Sequence, residues 1–261
     1  MHMRNVWRTS SVRLLVLLPF VFLLVAFQAT DKEPIGKITY PLNRVYVIRA
    51  GSTDLIMATY NMDVFPGDKI ETKKESRCEI TLKNGDVVRV DENSIYTLEN
   101  VEVSEKTVRA ESFLSVGRIW SNIRKLFSKG DYFKIKSPAA VIAVRGTVYR
   151  VNANPDSTTE VYVYEGKVAV SPYRAGVGQQ EWQPVSPGEK RQEERRVVAP
   201  PRPVQGPKEV SVEEWFEIVM AQQHIRVNPD GTYQKDEFDP QKDAELDWVQ
   251  WNKQRDALIK R

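Results

Sequence analysis

From Gly36 onward the chain divides into short segments of alternating apolar and polar residues, each closed by a turn signal, and this period-two pattern points to an antiparallel, mainly β domain. Residues 44–49 are β-branched and aromatic and run into an Ala50-Gly51-Ser52 turn. Pro66-Gly67-Asp68 is a turn signal ahead of a strand over 69–72. Strands over 77–82 and 87–90 flank Lys83-Asn84-Gly85-Asp86, whose Asn-Gly pair favours a tight hairpin. Segments 95–103, 107–116 and 132–136 continue the series, and 159–164 is expected to pair with 167–170 across Glu165-Gly166. Only 118–127 breaks the rhythm. Ile119, Trp120, Ile123, Leu126 and Phe127 fall at helical spacing there, which predicts a short amphipathic helix with a strand as the alternative.

A sheet-forming chain of 261 residues can bury a core without staples. The one cysteine, Cys78, excludes an intrachain disulfide and a cysteine-based zinc site, and its place in the alternation Cys78, Ile80, Leu82 predicts a buried core residue. The net charge of +3 arises from 38 basic and 35 acidic residues, a near balance that argues against a nucleic-acid footprint.

Ahead of the β body, Arg4, Arg8 and Arg13 precede an uncharged stretch over 14–30 rich in Leu, Val and Phe, which reads as an export signal or an uncleaved signal anchor. A small-residue cleavage pattern is imperfect, because Ala29 is matched with bulky Phe27. Either form leaves the arginines in the cytoplasm and carries the remainder across the membrane.

Within the apolar run over 139–151, Arg145-Gly146-Thr147 is an interruption. A glycine inside a strand implies a bulge or a close backbone approach, so Arg145 is expected either to meet a carboxylate or to be exposed by the bulge. These residues also carry a resemblance. Pro66-Gly67-Asp68-Lys69-Ile70-Glu71-Thr72, the strand and glycine turn of 78–85, the strand, Ser137-Pro138-Ala139-Ala140 step and Arg145-Gly146-Thr147 of 133–147, and 161–170 with its Glu165-Gly166 turn resemble, in order, the FecR domain of bacterial envelope proteins. The resemblance marks Gly67, Asp68, Gly85, Pro138, Arg145, Gly146, Thr147 and Gly166 as structural motif positions, and makes 161–170 a closing hairpin. It implies an all-β extracytoplasmic domain, sandwich or barrel-like with a solenoid-like stack as the alternative, that takes part in signalling or envelope interactions without catalysis or cofactor. The best-known members hold a sigma factor through a cytoplasmic helical domain. Only about thirteen residues precede the hydrophobic stretch here, too few to fold, so direct sigma-factor control is not expected.

The β domain is therefore expected over 34–188, followed by a charged and proline-rich linker over 189–208 and a small α-helical tail over 209–261. In the tail, Ser211-Val212-Glu213-Glu214 signals a helix start, Trp215 to Met220 supply an apolar face, and a second helix is expected over 239–260. Between them Asn228, Asp230, Gly231 and Glu237 match positions of a calcium loop, but the first position is Arg226, which favours a plain Asn-Pro-Asp-Gly turn. No metal is expected. With His2 in the address segment and His224 placed near a helix end, no histidine is expected to serve the β body, and no catalytic set is apparent. The expected function is a non-enzymatic binding or signalling module whose partner is another envelope or membrane protein, or cell-wall polymer, with the membrane contacted through the N-terminal segment and no nucleic acid bound. The alternative is a structural envelope scaffold that self-associates or contacts cell-wall polymer.

Overall fold

The computed structural model describes residues 33–104, 107–124, 131–173 and 217–259, and all but Glu33 belong to the compact unit Pro34–Arg261. The expected N-terminal hydrophobic helix, the linker and the Ser211 helix start lie outside the described residues. Among the described residues no helix is long and apolar enough to cross a membrane.

The chain is mainly β. Its strands are β1 (Gly36–Leu42), β2 (Val45–Ile48), β3 (Ile56–Met57), β4 (Asp63–Val64), β5 (Lys69–Thr72), β6 (Arg77–Leu82) and β7 (Val87–Val90). These are followed by β8 (Ile95–Val103), β9 (Val108–Ile123), β10 (Tyr132–Lys136), β11 (Ala140–Val144) and β12 (Thr147–Ala153). Next come β13 (Thr159–Glu165), β14 (Lys167–Pro172), β15 (Glu217–Met220), β16 (Gln223–Val227) and β17 (Tyr233–Glu237). Two helices, α1 (Pro240–Asp243) and α2 (Asp247–Leu258), complete the described chain.

The strands form two layers. The first runs β4-β1-β6-β7-β9-β12-β13-β16-β17. The second runs β3-β2-β5-β8-β9-β10-β11-β14-β15, antiparallel throughout except between β9 and β10. Both layers end in open edges, so the barrel alternative does not hold. Inward residues of both, such as Ile80, Ile119 and Val161 from the first and Ile70, Leu114 and Ile142 from the second, share one hydrophobic cluster that also contains Cys78.

The long strand β9 belongs to both layers: up to Val116 it pairs with β8, and from Gly117 onward it pairs with β12 in the first layer. Gly117 makes the crossing, with φ +99° and a backbone so close to Ser94 that a Cβ would lie 2.0 Å from its Oγ. The helix expected over 118–127 is instead this second half of β9 as far as Ile123, and 125–130 lie outside the described residues. The period-two signal was hidden because both faces are covered: Ile119 and Ile123 point into the core while Trp120 is buried on the opposite side.

Two further expectations are corrected. β13 pairs with β12 and β16 while β14 pairs with β11 and β15, so 161–170 is a corner between layers and not a hairpin. A corner and a hairpin share the same alternation and the same positive-φ glycine, which is why the sequence does not separate them. In the tail, residues 217–220 are not helical but form β15, because they add to β14 and place Val219 in the core. The described part of the tail, 217–259, is thus three strands followed by two helices, where a single helix over 239–260 was expected. His224 lies on β16, inside the β body, stacked on Tyr162 at 5.0 Å between ring centroids.

The Asn228–Thr232 connection is a turn. Gly231 N–H donates to the Asn228 carbonyl at 2.9 Å, and the Asp230 carboxylate accepts from the Thr232 N–H and hydroxyl at 2.9 and 2.7 Å. Asp230 is engaged by its own loop, and Glu237 belongs to β17. The calcium pattern is a hairpin turn.

Candidate functional site

The outer face of the first layer carries a row of side chains in cross-strand register: Tyr40, Glu79, Arg89, Trp120, Arg150, Tyr162, His224 and Asp236. Strand alternation places all of them opposite the core. An arginine at the centre of a valine-rich strand would ordinarily face water, yet Arg89 is 0% exposed and Trp120 only 1%.

The cover is supplied by the helices. Asp239 caps α1, accepting from the Gln241 and Lys242 N–H groups, and Pro240 occupies the first turn, where its missing N–H costs nothing. α2 then lays Trp248, Val249, Asn252 and Asp256 along one stripe at helical spacing. Trp248 and Val249 join Trp120 and Val148 in a second, smaller apolar cluster. Trp251 stacks with Trp248 at 5.4 Å and tilts against Tyr40 at 5.7 Å.

Charge completes the joint. Arg89 Nε donates to Glu79 at 2.7 Å, and its Nη1 donates to Asp256 at 2.7 Å and to Asn252 Oδ1 at 3.3 Å. Arg255 makes a fork onto Glu79, with two hydrogen bonds of 2.8 Å, and the Thr39 hydroxyl adds a fourth donor at 2.9 Å. The second oxygen of Asp256 accepts from the Trp120 indole N–H at 2.9 Å. One step along the row, Asp243 accepts from Arg150 at 2.8 Å and from the Tyr164 hydroxyl at 2.7 Å. Arg77 pairs with Asp247 and lies over the Trp248 and Trp251 rings.

Burial alone would raise the Glu79 carboxyl, but the hydrogen bonds from Arg255 and Arg89, the Arg89 charge and the Thr39 hydroxyl outweigh it and hold the group at about 2. Burial pushes the Asp86 and Asp91 carboxyls up, against the opposing pull of Arg124 and of Arg118 and Arg77 respectively. Burial likewise raises the Tyr164 phenol. These groups form a neutralised, hydrogen-bonded joint.

The motif positions identified in the sequence occupy a different place, at turns and corners. Gly67 (φ +90°) and Gly85 (φ +81°) sit in the turns before β5 and β7. Asp68 is buried and accepts from the Phe65 N–H at 2.9 Å and from Arg49. Pro138 follows Ser137 in the turn between β10 and β11, where Ser137 Oγ donates to the Ala140 carbonyl at 2.9 Å. Gly146 (φ +71°) and Gly166 (φ +82°) are stacked corners, and a Cβ on Gly166 would lie 2.7 Å from the Gly146 carbonyl oxygen. Thr147 Oγ1 donates to the Lys167 carbonyl at 2.9 Å across the same corner. The interruption at 145–146 is not a bulge within one strand but the corner from β11 to β12; Arg145 is exposed there and, among the described residues, forms no ion pair. None of these residues belongs to the charged row. Glu79, Arg89, Arg150, Asp243 and Asp256 were missed by sequence reasoning, although a charge in the middle of an apolar strand (Val88-Arg89-Val90, Tyr149-Arg150-Val151) was a usable signal.

Residues 68–169, spanning β5 to β14, match the family model described as FecR protein. This segment is similar to the FecR domain. Glu79, Arg89, Trp120, Arg150 and Tyr164 lie inside it, whereas Asp243, Asn252, Arg255 and Asp256 lie beyond it. Among curated proteins none matches the chain. Two solved structures described as a "putative anti-sigma factor from Parabacteroides distasonis" are similar to it at 18% identity. One covers 70% of this chain and 64% of its own with a TM-score of 0.44, and the other 67% and 62% with 0.43. This chain therefore spans less than two thirds of either.

Proposed function

We propose that this chain is a non-catalytic binding and signalling module of the bacterial cell envelope, its β domain outside the cytoplasm and its partner another envelope or membrane protein. The similarity of 68–169 to the FecR domain carries this reading. The chemistry of the outer face agrees with it: the buried carboxylates and arginines there pair with one another.

In this reading residues 1–30 are the signal peptide or anchor, 34–188 the FecR-like domain, 189–208 a linker, and 209–261 an arm that returns to the domain through β15–β17 and the helices. Gly67, Asp68, Gly85, Pro138, Gly146, Thr147 and Gly166 shape the scaffold. Arg145, exposed and without an ion pair among the described residues, is the member of the motif that faces outward to meet a partner.

The test is a pull-down with the full-length chain from detergent-solubilised envelopes, with mass spectrometry of the captured proteins and of the chain's own N-terminus. A stoichiometric envelope protein supports the reading. A turnover activity that survives purification and disappears when one carboxylate of a pair is replaced would overturn it. A second reading, self-association into a scaffold, is favoured by exposed Leu55, Ile56 and Met57 at the β3 edge and exposed Ile218 and Met220 on the opposite edge. It predicts concentration-dependent assembly in sedimentation velocity.

A further inference from the structure

We infer that the outer face of the first layer is a receptor for an acidic helix of a partner protein, filled in cis by the chain's own α1 and α2. The inference rests on the reading of this chain as a protein-binding module and names the surface and the chemistry of the partner.

Charge complementarity comes first. The sheet contributes Arg89 and Arg150 together with Trp120 and Tyr164, and the helices bring Asp256 and Asp243 onto them. Tryptophan, tyrosine and arginine gathered on one face are the side chains that dominate binding at protein interfaces. One pair runs the other way, from Arg255 of the helix to Glu79 of the sheet. Together these contacts define what the face reads: an apolar pair at the start, as Trp248-Val249, a carboxamide one turn on, as Asn252, and an arginine and a carboxylate one turn further, as Arg255-Asp256. All lie on one stripe of a helix, which is the helix-in-groove mode of recognition.

The second observation is that the cis helices satisfy this face incompletely. Arg89 Nη2 and Arg150 Nε on the sheet side, and Trp248 Nε1 on the helix side, are buried without a hydrogen-bond partner among the described residues. Arg89 and Arg150 are 0% and 3% exposed, so water reaches neither freely. Each unsatisfied buried donor carries a desolvation cost that an occupant with acceptors at those points would remove. The fit is also narrow: Leu246 and Leu258 of the helical segment remain outside the contact, 47% and 76% exposed. A cleft of about 630 Å³ lined by Trp120, Val148, Tyr164, Phe238 and Lys253 stays open beside α2.

Third, the helices follow every strand of the described chain, so their release breaks no strand pairing. A trans helix must outcompete a tethered one, whose effective concentration is of the order of millimolar. The wild-type chain is therefore closed to weak ligands and opens only to a helix that fits better.

The experiment uses the full-length chain and a fluorescein-labelled synthetic peptide of its own residues 239–259, followed by anisotropy. Asp243→Asn/Asp256→Asn weakens the cis contact while the peptide keeps both carboxylates. The variant is expected to bind the peptide at least tenfold more tightly than wild type. Binding should weaken with added salt and vanish for a peptide carrying Asp256→Asn. Should the double variant lose its β circular-dichroism signal, Arg255→Gln, at a partly exposed rim position, serves in its place. Equal and negligible peptide binding by wild type and a folded variant would overturn the inference. So would variant chains that dimerise without taking up peptide, since the face would then belong to a second copy. If the peptide fails while an envelope protein is captured by the pull-down, the receptor falls and the module reading stands. If the peptide binds and no protein is captured, the reverse holds.

Discussion

Replacing Glu79 by glutamine changes little volume and removes one charge from the centre of the joint. The carboxylate accepts four hydrogen bonds, three of them from arginine, at 2.7 to 2.9 Å. A glutamine must place its NH2 group where one oxygen stood, facing two donors on either choice of orientation. It also leaves Arg255 without its carboxylate and Arg89 with that of Asp256 alone. Arg255 can turn partly to water, being 24% exposed at its side chain, but Arg89 has no such route. Breaking a buried pair costs about 3–5 kcal/mol. By a separate route, a carboxyl held at about 2 instead of 4.5 corresponds to about 3 kcal/mol before solvent screening on the Arg255 side is allowed for. The two routes agree on a loss of about 3 kcal/mol, a large share of an ordinary domain's stability. Urea unfolding of wild type and Glu79→Gln, followed by circular dichroism, measures it. Because the carboxyl is depressed in the fold, the wild-type advantage is full above about pH 4.5 and declines as the pH falls toward 2. Asp86 and Asp91, raised by burial, titrate with the opposite sign in both proteins and drop out of the difference. A loss below about 1 kcal/mol, or a difference constant between pH 6 and 3, would refute the reasoning.

Gly117→Ala is expected to destabilise by at least about 2 kcal/mol, since φ is +99° and the new Cβ would strike Ser94, and a melting curve equal to wild type would contradict the crossing in β9. Cys78 is buried with its thiol pushed up by desolvation, so it should ignore a thiol reagent in native buffer and react stoichiometrically in urea. Arg145→Ala should leave stability within about 0.5 kcal/mol of wild type, because the side chain is exposed and unpaired, while reducing capture of the envelope partner.

Strands with one wet face were legible. β5, β8 and β10 begin and end where alternation and turn residues place them, because a polar outward face and an apolar inward face give the period directly, while β6 and β7, whose outer face is covered, were legible from the Asn84-Gly85 turn between them. The second half of β9 was not, since Trp120 faces outward yet is buried beneath α2, and a strand covered on both sides loses its alternation. The corner at Glu165-Gly166 was misread as a hairpin because layer assignment depends on which strands β13 and β14 find, information that lies far along the chain. The same distance hides the joint. Arg89 and Asp256 are 167 residues apart, and each on its own reads as an ordinary solvated charge. The expected single helix over 239–260 is two, α1 and α2, broken at 244–246, and the buried stripe of α2 was not legible: Leu246 and Leu258 are exposed, while polar Asn252 is fully buried and donates its side-chain N–H to the Trp248 carbonyl.

On this reading α2 is held on the β body by a charged joint that opens without unfolding the strands beneath it. Hydrogen–deuterium exchange on the full-length chain, comparing wild type with Asp256→Asn, tests it most directly. The amides of 247–258 should lose protection in the variant by at least tenfold while those of β6, β7, β9 and β12 keep theirs. Protection lost equally in the helix and the strands, or in neither, would contradict it.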